Sequence, residues 1–176
     1  MKEEILIPEG IEVQLNNGKL VLTKEGKTNE RVFNHPMLSV KLNDNKIILE
    51  TKGETRNEKR ILKTSISHIK NMIKGFLEDF EYKLKICYKH FPMSVENKGT
   101  DIVIKNFLGE KKERRTRIFE DVKIEIKGDT ITLRGHNIEH VAQSAANIEN
   151  ATRITGYDRR IFQDGIFIIK KHDKKM

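Results

Sequence analysis

Six cations and two acids fall within thirteen residues at Lys105-Asn106-Phe107-Leu108-Gly109-Glu110-Lys111-Lys112-Glu113-Arg114-Arg115-Thr116-Arg117. Guanidinium groups fork onto phosphate oxygens and lysines act as point charges. Lys105, Lys111, Lys112, Arg114, Arg115 and Arg117 therefore make a candidate grip on folded RNA. Asn106, Phe107 and Gly109 belong to the same candidate RNA-binding set, Gly109 because it permits close backbone approach. A second segment, Asp158 to Lys171, adds Arg159 and Arg160, a turn at Asp164-Gly165 and the pair Lys170-Lys171. Its Phe162, Ile166 and Ile168 read as core closure, which leaves Arg159 and Arg160 without a packing explanation. The competing reading of the first segment is a solvated charged loop.

A different chemistry is written at His136-Asn137-Ile138-Glu139-His140, which fits H-x-x-E-H. On a helix, two such histidines bind zinc and the glutamate activates water, so a zinc hydrolase using His136, Glu139 and His140 is the enzyme alternative. Against it, His136 or Asn137 stands at the expected helix start, where polar residues cap amides. No second glutamate-bearing helix supplies a third ligand. The chain also lacks a phosphate-binding G-x-x-x-x-G-K-[ST] loop, a cysteine pair with zinc spacing and a serine framed by glycines. No catalytic residue, metal, cofactor or small-molecule substrate is expected. Cys87, the only cysteine, alternates with apolar neighbours and reads as a packed or half-buried thiol.

The elements that must hold these residues occur twice. Leu38, Val40 and Leu42 alternate, a turn follows at Asn43 to Lys46, and Ile47 and Leu49 resume. Val122, Ile124 and Ile126, a turn at Lys127 to Thr130, then Ile131 and Leu133 repeat the pattern 84 positions later. A helix follows each copy, with Leu62, Ile66, Ile69, Ile73 and Phe76 on one face of the first and Ile138, Val141, Ala145, Ile148 and Thr152 on one face of the second. Gly75 and Gly156 are the expected stops. Ahead of the first hairpin, strands are expected at Ile5 to Ile7, Ile11 to Leu15 and Leu20 to Leu22, with a turn at Asn16-Asn17-Gly18. Tyr82, Leu84, Ile86 and Tyr88 predict a strand entering the second copy.

The fold expected is α+β: two tandem related domains, residues 1–81 and 82–176, each an antiparallel sheet with one helix packed on one face. Residues 1–81 hold 14 Lys+Arg against 13 Asp+Glu and residues 82–176 hold 20 against 13, a split of +1 and +7. The second module thus reads as the one that grips a polyanion. The tail from Lys170 to Met176 is expected to fray.

Whole-chain composition agrees. A formal charge of +8 and pI near 9.5 point to nucleic acid or an anionic surface. A membrane is disfavoured, because no apolar run approaches the ~18 residues of a spanning helix and Met1 to Pro8 lack a secretory signal's apolar stretch. One cysteine excludes an internal disulfide framework and suits a reducing, intracellular compartment.

Over essentially its whole length the chain resembles the family of the large-subunit ribosomal protein numbered six in the universal scheme, in its archaeal and eukaryotic branch. The resemblance is carried by Ile7-Pro8-Glu9-Gly10, Gly75-Phe76, Tyr82-Lys83, Tyr88-x-His90-Phe91-Pro92, Asn106-Phe107-Leu108-Gly109-Glu110-Lys111, Ser144-Ala145-Ala146 and Arg160-x-Phe162-x-Asp164-Gly165-Ile166-Phe167-Ile168. Tyr157, Asn150 and Thr23-Lys24-Glu25-Gly26 depart from the family pattern. The likeness implies a duplicated α+β fold and a structural constituent of the large ribosomal subunit in the cytoplasm. It implies docking on large-subunit rRNA mainly through the second domain, near the stalk base and sarcin-ricin loop, beside neighbouring ribosomal proteins. By position it assigns RNA contact to Lys105 to Arg117 and to Arg159 and Arg160. The rival binding role is a free RNA-binding or ribosome-assembly protein.

Overall fold

A computed structural model describes every residue except Asp44, Asp173 and Met176, with Lys174 and Lys175 described by their backbone alone. The chain forms two compact units, Met1–Glu78 and Asp79–Met176.

The first unit contains β1 (Lys2–Leu6), β2 (Glu12–Asn16), β3 (Lys19–Lys24), β4 (Lys27–Val32), β5 (Leu38–Asn43), β6 (Lys46–Thr51) and α1 (Arg56–Leu77). Its strands divide between two antiparallel sheets, ordered β1-β6-β5 and β2-β3-β4. The sequence pattern did not reveal β4, because Lys27-Thr28-Asn29-Glu30-Arg31-Val32 lacks apolar alternation. Its cue was the turn at Glu25-Gly26, where both residues take positive φ, 50° and 78°. Asp44, in the expected β5–β6 turn, lies outside the described residues.

Helix α1 starts at a capping box: Thr55 Oγ1 accepts from the Glu58 amide at 3.3 Å, and the Glu58 carboxylate accepts from the Thr55 amide at 3.0 Å. It buries Leu62, Ile69, Met72 and Ile73 over Leu20, Leu22, Ile47 and Leu49. Gly75 does not stop it. That glycine is buried on the packed face, and the helix runs two residues further to Leu77.

The second unit contains β7 (Phe80–Cys87), β8 (Ser94–Lys98), β9 (Asp101–Lys105), β10 (Arg114–Arg117), β11 (Lys123–Lys127), β12 (Thr130–Gly135), α2 (Ile138–Ala151), β13 (Gly165–Lys171) and β14 (Lys174–Lys175). Here too there are two antiparallel sheets, β10-β9-β8 and β11-β12-β7-β13-β14. The duplication is visible in register: Val40 faces Leu49 and Leu42 faces Ile47, as Ile124 faces Leu133 and Ile126 faces Ile131. In each unit the strand that opens it, β1 or β7, lies beside that hairpin's second strand. The α+β class and tandem organisation hold, with two sheets in each unit instead of one.

Only the second unit then adds β13, on the far side of β7. Its Lys170 and Lys171 are backbone-paired to β7 and β14, so the start of the expected frayed tail is strand, whereas Asp173 and Met176 lie outside the described residues. Helix α2 ends at Ala151, well before Gly156. Thr152 caps it, donating from Oγ1 to the Glu149 carbonyl at 3.1 Å while accepting the Ile166 amide at 2.9 Å.

Phe80 and Glu81 pair with Gly135 and Arg134 inside the second sheet. That placement alters the charge contrast: divided at 78/79, the first unit has 14 Lys+Arg against 11 Asp+Glu and the second 20 against 15, +3 and +5. Asp79 and Glu81 account for the difference from +1 and +7. Net charge per unit separates them weakly, so the positions of individual cations must decide.

Candidate nucleic-acid interface

The β9–β10 connection is a built structure. Asn106, Leu108 and Gly109 take left-handed φ of 58°, 50° and 75° around the tight turn Phe107–Gly109. Asn106 Nδ2 donates to the Pro92 carbonyl at 2.8 Å. A side chain at Gly109 would meet the Phe91 ring at 3.3 Å, so close approach to that ring adds to the demand for glycine. Phe107 is 1% exposed and belongs to the hydrophobic core. It supports the hairpin from below and presents no ring to a ligand.

Arg114 sits over that ring, its Cζ 4.2 Å from the centroid. The guanidinium forks onto Glu110 at 2.6 and 2.8 Å and donates to the Ala151 carbonyl at 2.9 Å and the Arg153 carbonyl at 3.4 Å. Those carbonyls lie at the end of α2, where a cation opposes the helix dipole favourably. Hydrogen bonding to Arg114 holds the Glu110 carboxyl below its ordinary range, against a smaller opposing effect of burial. Arg114 is therefore an internal strut joining hairpin to helix.

Acids from neighbouring strands moderate the rest of the segment. Lys105 Nζ is 2.7 Å from Glu96 and 3.8 Å from Glu113, Arg115 is 3.2 Å from Glu113, and Arg117 is 3.4 Å from Asp101. The six cations thus face four acids in space, two more than the segment itself contains. Exposure separates them. Arg115 and Arg117 keep 68% and 87% of their side-chain surface in solvent, and Lys111 and Lys112, also exposed, have no acidic partner among the described residues. Exposed pairs of this kind contribute little to folding, so Arg115 and Arg117 can exchange carboxylate for phosphate at small cost.

The other candidate segment lies against the same helix end. Asp164, 2% exposed, accepts from the Lys89 amide at 3.0 Å, the His90 amide at 3.2 Å and the His90 ring at 3.2 Å. Burial alone would raise its pKa, yet those amide bonds and the ring outweigh burial and hold it low. Phe162 packs between His90 and Tyr157, with ring centroids 4.8 and 4.9 Å away. Between this segment, the end of α2 and the start of β13 opens a groove of about 370 Å³, whose lining includes Arg153, Arg159, Phe162, Gln163 and Phe167. Arg159, in that lining, and its chain neighbour Arg160 are both exposed.

Because Arg114 holds the Arg153 carbonyl, the structure brings the hairpin and the Arg159 groove to one end of α2 although they lie over 40 positions apart. Lys170 and Lys171 do not join them. Lys170 and Lys171 stand beside Lys83 and Tyr82, three and four positions beyond Phe167 at the groove, and Lys170 Nζ bonds Glu81 at 3.4 Å. Glu81 also takes Arg134 at 2.7 and 3.0 Å. Arg134 foremost, against burial and with help from Lys170 and Lys83, lowers its pKa to about 2. Sequence reading missed Arg153, whose only cue was its position just past the helix end.

The zinc pattern does not assemble. His140 Nδ1 lies 2.9 Å from both Asp121 oxygens and its ring stacks on Phe119 at 4.2 Å, while His136 Nε2 is 4.0 Å from Asp121. Asn137 caps α2 through the Glu139 amide at 2.9 Å. Among the described residues no group of side chains is arranged to hold a metal ion, and no helix is long and apolar enough to cross a membrane.

The family profile described as Ribosomal protein L6 matches residues 7–79 and again 91–165, one match in each unit. Curated relatives span nearly the whole chain. A protein named Large ribosomal subunit protein uL6 from Methanococcus vannielii is 42% identical over 99% of this chain and 96% of its own length. Its namesakes from Methanobrevibacter smithii and Saccharolobus solfataricus are 42% and 46% identical, each over 97% of this chain.

Proposed function

The chain belongs to the ribosomal protein L6 family, it is a ribosomal protein of the large subunit and not an enzyme, and on that premise we propose that it binds large-subunit rRNA chiefly through its second unit. The contact surface is the outer face and tip of the β9–β10 hairpin with the groove at the end of α2. Lys111, Lys112, Arg115, Arg117, Arg159 and Arg160 meet phosphates, and Arg153 joins them. Gly109, Asn106, Phe107, Arg114 and Lys105 hold the shape. The observation that carries this reading is the Arg114 strut, which sets two cationic segments at one helix end.

Recognition of this kind rests on charge neutralisation and fit to folded RNA. A rigid hairpin spends little conformational entropy on docking, and guanidinium groups at fixed spacing select a phosphate arrangement more than a base sequence. Family resemblance supports a location near the stalk base and sarcin-ricin loop of the cytoplasmic ribosome, among other ribosomal proteins.

The test is salt-dependent binding of the full chain to large-subunit rRNA. Each lost phosphate contact lowers the slope of log affinity against log salt by roughly 0.7–0.9. Replacing Lys111, Lys112, Arg115 and Arg159 by glutamine is expected to lower it by about 3; an unchanged slope would remove this surface from the contact. Stoichiometric retention in salt-washed large subunits separates a resident component from a transient assembly protein.

A further inference from the structure

Helix α1 buries Leu62, Ile69, Met72 and Ile73, while its exposed side carries five of the helix's six cations, with Thr64 and Ser67 among them. Arg56, Lys59, Arg60, Lys63 and Lys70 lie within about 100° of arc and span about 21 Å of helix axis on the side opposite Leu62, Ile69 and Met72. The only acid in the helix is Glu58, which is buried and committed to the Thr55 cap and the Gly53 amide. None of the five cations has an acidic partner among the described residues. On the flank of this stripe Arg31 of β4 reaches His68, with 3.1 Å between nitrogens.

This arrangement works against the helix. Arg56, Lys59 and Arg60 crowd the N-terminal turns, where the dipole favours anions, and Arg56–Arg60 and Lys59–Lys63 set like charges at i,i+4. Packing does not require them either, since all five side chains face solvent. Helix α2, the counterpart in the other unit, contains no lysine or arginine. The cationic helix therefore belongs to the unit whose net charge is the smaller.

We infer that the outer face of α1 is a second, independent phosphate-binding surface, on which the five cations track the backbone of one rRNA segment. The inference rests on the large-subunit rRNA reading and adds a contact in the first unit. RNA suits the stripe better than a membrane, because the apolar face that would enter lipid is already the core of the unit. It suits the stripe better than an acidic protein surface, because no large apolar side chain is exposed on the helix between Arg56 and Lys70, and the exposed Leu77 lies seven residues beyond.

The experiment compares the full chain with a variant carrying Lys59→Gln, Arg60→Gln, Lys63→Gln and Lys70→Gln in filter binding to folded large-subunit rRNA across a salt series. The salt slope is expected to fall by about 3, as four phosphate contacts require, with no loss of thermal stability because repulsion on the helix is relieved. A parallel variant with Lys59, Lys63 and Lys70 changed to Arg is expected to keep the slope. An unchanged slope in the glutamine variant, while the hairpin variant loses binding, overturns this inference and leaves the broader reading standing. Failure of the unaltered chain to bind rRNA overturns both. In assembled subunits Lys59, Lys63 and Lys70 are expected to be protected from acetylation until RNase treatment, and protection that survives RNase would assign the stripe to a protein partner instead.

Discussion

Arg114 grips Glu110 with two hydrogen bonds of 2.6 and 2.8 Å while its guanidinium carbon stands over the Phe107 ring, so the most elaborately bonded cation of the basic segment serves the fold. Arg114→Ala is expected to destabilise the chain by about 2–3 kcal/mol, since it strands Glu110 and two helix-end carbonyls. Arg114→Lys recovers only part, because a point charge cannot make the fork. Arg115→Ala changes stability by less than about 0.5 kcal/mol yet weakens RNA binding. Denaturant midpoints beside filter-binding affinities separate the two neighbours.

Gly109 tests whether the hairpin is a fixed shape. With φ at 75° and the Phe91 ring 3.3 Å from any added Cβ, Gly109→Ala is expected to cost about 1–2 kcal/mol. RNA affinity should fall with it although no charge is removed. A variant that melts and binds like the parent would mean the turn tolerates rearrangement.

Glu81 makes acid stability measurable. Its carboxyl titrates near 2 in the folded chain against an ordinary 4.5, so the stabilisation is full above pH 4.5 and is lost as pH falls through about 2. Because Arg134 and Lys170 are half-exposed, screening reduces the gain to about 1–2 kcal/mol. Glu81→Gln should lower stability at neutral pH by that amount and flatten the dependence between pH 4.5 and 2, read from urea unfolding at successive pH values.

His136 and His140 face a plain assay. Both engage Asp121, so purified chain exposed to zinc and then dialysed should retain it substoichiometrically, and His136→Ala with His140→Ala should leave the amount unchanged. One tightly held zinc per chain, lost in the double variant, would restore the hydrolase alternative.

Legibility from sequence followed apolar periodicity. The two hairpins, of Val40 and Leu49 and of Ile124 and Leu133, and the buried face of α1 were readable because one side of each element meets a core. β4 was not, since its pairing with β3 needs backbone bonds and offers almost no apolar signal. The candidate interface was legible as a list of cations and illegible as a surface. Nothing local to Lys105 announces Glu96, which lies across a strand pair, and nothing in Lys170 announces Glu81. The stripe on α1 is written in the sequence as cations at i,i+4, a spacing shared by any solvated helix face.

The most direct measurement compares the salt slopes of two full-length variants on large-subunit rRNA: one with Lys111, Lys112, Arg115, Arg117, Arg159 and Arg160 changed to glutamine, the other with the four changes on α1. The first should lose roughly 4–5 units of slope and the second about 3, which ranks the second unit as the larger contact. An equal or greater loss in the α1 variant, or an intact slope in the first, would contradict the assignment.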